Sequence, residues 1–225
     1  MYSLFISLWP MLQLLYSNSI SVLPNIKDKV TRNILSFSNA AGTLILGVTY
    51  VYTQNETIFN LAILYPTTYY IYDTYVILNK KYYKEYPFIY HHLITLYLLE
   101  NLCFANMELR YILLNILISA ELSNLPIYPV YHLIKTGDHT KPDFYTKLIK
   151  WKKFQISWYI LIRIIYFSYF IYHNYYLIGG FVLRNLSLSI YLLGIYWVFG
   201  QIKSVKNDLI KKRTIEKNTE EIKQQ

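Results

Sequence analysis

Residues 33–55 read NILSFSNAAGTLILGVTYVYTQN, a run without a single charge that is closed by Arg32 on one side and Glu56 on the other. A helix of that length covers roughly 34 Å at 1.5 Å per residue, and the hydrocarbon core of a bilayer is about 30 Å thick. The stretch is therefore the right length and composition to cross a membrane. Working outward, the same pattern recurs. Residues 1–26 carry no charge, and a helix over 3–23 fits there. No Lys or Arg precedes it, so it lacks the basic start of a cleaved signal peptide and reads as a retained span. Further spans fall at 58–78 around Asp73, at 87–105 around His91, His92 and Glu100, and at 111–134 around Glu121, Pro126 and Pro129. Two more lie at 154–176 around Arg163 and at 185–202.

Composition agrees with this segmentation. Only 16% of the 225 residues are charged, against roughly 25% in an ordinary soluble domain, and 54% are hydrophobic. Disorder is excluded, and one cysteine, Cys103, excludes an internal disulfide. The mean hydropathy of +0.22 is modest because 26 tyrosines lower it, yet tyrosine rings anchor well at a membrane interface. The basic residues sort to one side. Lys27, Lys29 and Arg32 form one loop and Lys80, Lys81 and Lys84 the next; six Lys in 135–153 and seven Lys/Arg in 203–225 follow on the same side. Only Arg110 and Arg184 fall opposite, with Arg163 inside a span. Since Lys and Arg collect in cytoplasmic loops, the expected fold is all-α, a multi-pass transmembrane bundle of six to seven spans with a lumenal N-terminus and a cytoplasmic C-terminus. Its parts are a first span over 1–27, a transmembrane domain over 28–205 and a charged, solvated tail over 206–225. The net charge of +9 then records topology, and no nucleic-acid partner is expected.

Ionisable side chains inside spans are costly and usually face a bundle interior or a cavity. Asp73, His91 and His92 fall at matching depth, and a carboxylate beside an imidazole can fix its tautomer and raise its basicity. Neighbouring His residues point about 100° apart on a helix, so one faces a cavity and the other an adjacent helix. Thr95 lies one turn on. Glu121, Ser123 and Asn124 lie near mid-membrane, and Arg163 reaches the same depth, which suggests a Glu121–Arg163 pair. Pro126 and Pro129 free the carbonyls of Leu122 and Leu125, since each removes the bond to the residue four earlier. Within 135–153, Phe144, Leu148 and Trp151 recur at helical spacing after Pro142, as in an interfacial basic helix. Glu100, His132 and His173 read as ordinary span-end residues.

With these residues in view the chain resembles the TLC-domain family, the domain shared with ceramide synthases, over residues 28–205. The resemblance rests on Arg32-Asn33, Tyr72-Asp73, His91-His92-Leu-Ile-Thr95 and Glu121-Leu-Ser123-Asn124. It implies a helical protein of the endoplasmic reticulum or related membranes. Ceramide synthases carry a later His-Asp-x-Ser-Asp element; this chain reads Ala120, Glu121, Leu122, Ser123, Asn124 there, lacking the second His and the last acid. The resemblance therefore leans toward the members that are not ceramide synthases. The richness in Ile, Tyr, Asn and Lys suggests an AT-rich genome, such as a giant virus acting on a host intracellular membrane.

The expected function is binding, sensing or handling of membrane lipids in a cavity lined by Asp73, His91, His92, Glu121 and Asn124, with Thr95, Ser123 and Arg163 alongside. No cofactor is expected. The alternative is an acyltransferase, with His91 or His92 as base or acyl acceptor, Asp73 orienting it and acyl-CoA as co-substrate. A membrane scaffold is a third reading. Metal chemistry is disfavoured, because five His without spaced His boxes do not build a two-metal site.

Overall fold

A computed structural model describes residues 2–19, 24–82 and 85–224. The expected end of the first span at Leu23, loop residue Lys84 and terminal Gln225 lie outside the described residues. Of the described residues 91% are helical, and none is in a strand. In order the helices are α1 (Tyr2–Ser19), α2 (Pro24–Thr53), α3 (Glu56–Asn79), α4 (Tyr86–Phe104), α5 (Met107–Asn124), α6 (Ile127–Thr136), α7 (Pro142–Tyr159), a π-helical segment (Ile160–Tyr166), α8 (Phe167–Asn174) and α9 (Gly180–Gln224).

Local sequence sets the boundaries. Asn55 caps α3, its side chain accepting from the N–H groups of Thr57 and Ile58 at 2.9 and 3.2 Å, and Asn106 caps α5 through Leu109 N–H at 2.9 Å. Proline in the first turn starts α4 and α7, where its missing N–H costs nothing.

Among the described residues, four helical stretches are long and apolar enough to cross a membrane: Ile26–Thr53, Met107–Thr136, Pro142–Asn174 and Gly180–Glu221. The protein is an integral membrane protein. Its surface fits that state. Leu14, Ile45, Leu93, Ile165, Tyr196 and Phe199 project outward, while Asn39, Thr43, Thr68, Ser119 and Ser187 are buried. Helices in lipid gain little from hiding apolar groups from one another, so small and polar side chains supply the contacts between them. α2 packs on α1, α3, α5 and α6, and α3 packs on α4. α1 is docked by the fully buried Trp9, whose indole N–H donates to Thr68 Oγ1 at 3.0 Å between the rings of Tyr65 and Tyr69.

Three expectations are corrected here. The basic 135–153 segment is not a separate interfacial helix: from Pro142 it runs without a break into the following span, through the π-helical segment to Asn174. The charged tail is not a separate solvated piece. It continues α9, supported by Lys212–Glu216 and Lys217–Glu221 at 3.4 and 3.7 Å. Where the tail begins, α9 packs on α7: Val205 joins Tyr145, Leu148 and Ile149, and the Lys152 ammonium binds Asp208 and Ser204. Lastly, Lys27, Lys29 and Arg32 belong to α2 rather than to a loop.

Candidate functional site

At the lysine-bearing end of the bundle, Arg32 of α2 clamps α3. Its Nε and Nη2 donate to Asp73 Oδ1 at 3.0 and 2.9 Å, Nη2 also reaches Oδ2 at 3.2 Å, and Nη1 binds Glu85 just before α4. This fork-shaped pairing takes up the Asp73 carboxylate. His92 Nε2 stands 3.8 Å from Asp73 Oδ2, too far for a hydrogen bond. The group that orients His92 is Thr74, whose Oγ1 lies 3.0 Å from Nδ1. The expected Asp73–His92 orienting pair is therefore replaced by a three-element clamp, because a guanidinium offers the carboxylate several charged donors and an imidazole offers one.

His91 points elsewhere. It lies edge-on to Trp197 with ring centres 5.5 Å apart, and its Nδ1 has no hydrogen-bond partner. With Tyr70, Thr95, Glu121, Asn124 and apolar neighbours such as Leu99 it lines a cavity of about 30 Å³. That volume holds about two water molecules and no lipid. Glu121 is buried and accepts from the Tyr70 hydroxyl. Asp73 and His92 do not line this cavity. Ser123 is turned away from it, its hydroxyl donating to Ala120 O at 2.6 Å.

The Glu121–Arg163 pair is not formed, since Tyr70 occupies the carboxylate and Arg163 Nε and Nη1 have no hydrogen-bond partner. Arg163 sits in the π-helical segment, 1% exposed, with its guanidinium 5.4 Å from the Phe167 ring centre. Its stem packs on α9 at Gly194, where a β-carbon would come within 3.0 Å of Cγ.

The helix break is where the second compartment forms. α5 ends at Asn124 and α6 begins at Ile127, with Leu125 and Pro126 in a turn between them. The carbonyl of Leu122, released by Pro126, accepts from Trp158 Nε1 of α7 at 2.9 Å, and Asn33 Nδ2 of α2 donates to Tyr128 O at 3.0 Å. Beside this break, α2, α6 and α7 enclose a groove of about 520 Å³ whose walls include Phe37, Leu125, Tyr128 and Leu133, with Lys147 and Trp151 of α7 among its lining residues. Sequence reading missed Tyr70, Trp158 and this groove. The only signal in the chain was the carbonyl that Pro126 had to release.

Among the described residues no group of three His, Cys, Asp or Glu side chains could hold a metal ion. Comparison with known proteins finds no matching family model, curated protein or solved structure.

Proposed function

We propose that this chain is a lipid-binding membrane protein that takes an acyl chain of a membrane lipid into the groove between α2, α6 and α7. The observation that carries the reading is the groove itself, about 520 Å³ with apolar and aromatic walls, which is the size and lining of sites for small apolar ligands. The His91–Glu121 cavity is too small for that role. It is a mostly apolar pocket into which His91, Tyr70 and Glu121 bring the polar groups. The sidedness of Lys and Arg supports six to seven spans with a lumenal N-terminus and a cytoplasmic C-terminus. The resemblance to the TLC-domain family supports a lipid role in the endoplasmic reticulum or a related membrane.

The test is purification of the full chain from a lipid-rich host in mild detergent, followed by mass spectrometry of the retained lipid. Retention near one lipid per chain is expected, with loss in Leu133→Trp, which fills the groove. No retained lipid in a folded native chain refutes the reading.

One observation favours the acyltransferase alternative: the unpartnered His91 Nδ1 beside Tyr70 and Glu121. In that reaction the imidazole takes the proton of a lipid amine or hydroxyl as it attacks the acyl-CoA thioester, and the CoA thiolate leaves. A new N- or O-acyl lipid in cells that is lost in His91→Ala would support it; identical lipidomes would dismiss it.

A further inference from the structure

The groove has a polar mouth as well as an apolar wall. Lys147 and Trp151 of α7 and His132 of α6 line it, and no Asp or Glu does. All three are exposed side chains. The Lys147 ammonium, the Trp151 indole N–H and the His132 ring form no hydrogen bond or ion pair with another described residue. Asp143, one turn before Lys147 on the same helix, leaves it unpaired. Donors without acceptors at the open end of an apolar groove are complementary to an anion carried on an apolar body.

Helix length places this mouth at headgroup level. Pro142–Asn174 has 33 residues, about 50 Å at 1.5 Å per residue, against a hydrocarbon core of about 30 Å. With Asn174 at one boundary, the surplus of about 20 Å is taken up by residues 142–153, which contain Lys147, Lys150, Lys152 and Lys153. Hydrocarbon then begins near Phe154. Trp151 stands where interfacial indoles collect; Leu133, packed on the cluster around Leu148, lies at the mouth, and Phe37 and Leu125 complete the apolar wall.

We infer that the groove selects an anionic glycerophospholipid, its phosphate at Lys147, Trp151 and His132 and one acyl chain passing Leu133 and lying along Phe37 and Leu125. This rests on the lipid-binding reading and adds the class of lipid. A basic side chain near a membrane surface contributes about fivefold in attraction for an anionic lipid, so Lys147 should account for most of a severalfold preference.

The experiment uses the full chain in vesicles of equal phosphatidylcholine and phosphatidic acid, with native mass spectrometry of the lipid that remains bound. Phosphatidic acid should be retained severalfold over phosphatidylcholine. Lys147→Gln, at an exposed position, should cut the preference about fivefold. Leu133→Trp should abolish retention of both lipids, with its melting transition checked against the native chain. Equal retention of the two lipids, or a preference unchanged in Lys147→Gln, overturns the headgroup assignment and leaves lipid binding standing. Absence of any retained lipid in the native chain overturns both.

Discussion

If Asp73 is the partner of Arg32 rather than of a catalytic imidazole, a double-mutant cycle on the two residues should show strong coupling. The side chains of Arg32 and Asp73 are 13% and 8% exposed, and their closest atoms are 2.9 Å apart. With an effective dielectric constant of about 20, the gross attraction at that distance is about 6 kcal/mol. Desolvation of both groups offsets much of it. Arg32→Met strands a buried carboxylate and frees Glu85, so it should cost about 3–5 kcal/mol, whereas Asp73→Asn should cost less, because Glu85 still pairs with the Arg32 guanidinium at Nη1. The double variant strands neither, and the coupling energy should be about 2–3 kcal/mol. The assay is reversible denaturation by SDS in mixed micelles, followed by circular dichroism. Additive single effects, with coupling under about 0.5 kcal/mol, would refute the clamp. So would a loss of lipid retention or product in Asp73→Asn that Arg32→Met does not share, because that pattern ties Asp73 to His92.

Tyr70→Phe removes the hydroxyl that donates to buried Glu121 and should cost about 2 kcal/mol in the same assay, while Tyr70→Phe with Glu121→Leu should recover most of it. Cys103 is an exposed native cysteine at the end of α4 away from the lysines; a membrane-impermeant maleimide should reach it and an introduced Thr219→Cys from opposite sides, and labelling of both from one side refutes the alternation of spans. At the α6–α7 turn, the Thr140 hydroxyl and N–H, with Lys141 beside them, hold the Asp138 carboxyl down to about 2. Its ordinary value is about 3.9, so the turn keeps this contribution fully above that value and loses it as pH falls through about 2. A carboxyl titration by NMR should show that midpoint, and one near 4 refutes the geometry.

The helical class was legible because charge is excluded from long segments, and the break after Asn124 was legible because proline removes one specific hydrogen bond. The rest of the site depended on which side chain reaches which partner across the bundle, and spacing along one helix does not carry that. Arg32 stands among Lys27, Lys29 and Asp28, so it reads as one more loop charge until its guanidinium is seen on Asp73. Tyr70 is one tyrosine of 26. The tail is rich in Lys and Glu and reads as solvated, but the same residues at i, i+4 spacing extend α9 and leave Val205 and Leu209 facing α7. Arg163 was expected beside an acid because an unpaired charge in a membrane is costly. The structure meets part of that cost with the Phe167 ring and close packing on Gly194.

Proline 126 ties the two compartments together. The break it makes turns consecutive residues to opposite sides, Asn124 to the water-sized cavity with Glu121 and Leu125 to the lipid-sized groove. Trp158, which takes up the Leu122 carbonyl that the break releases, and Asn33, which donates to Tyr128 O in α6, come from α7 and α2, the helices that wall the groove. Pro126→Ala restores an N–H able to bond the Leu122 carbonyl and removes a helix-breaking residue that disfavours a continuous helix by about 3 kcal/mol. Stability should therefore hold or rise while the Trp158 bond is displaced, α5 and α6 straighten into one helix, and lipid retention falls. Native lipid retention in a Pro126→Ala chain whose α5 and α6 have become continuous by hydrogen exchange would show that the groove does not depend on the break.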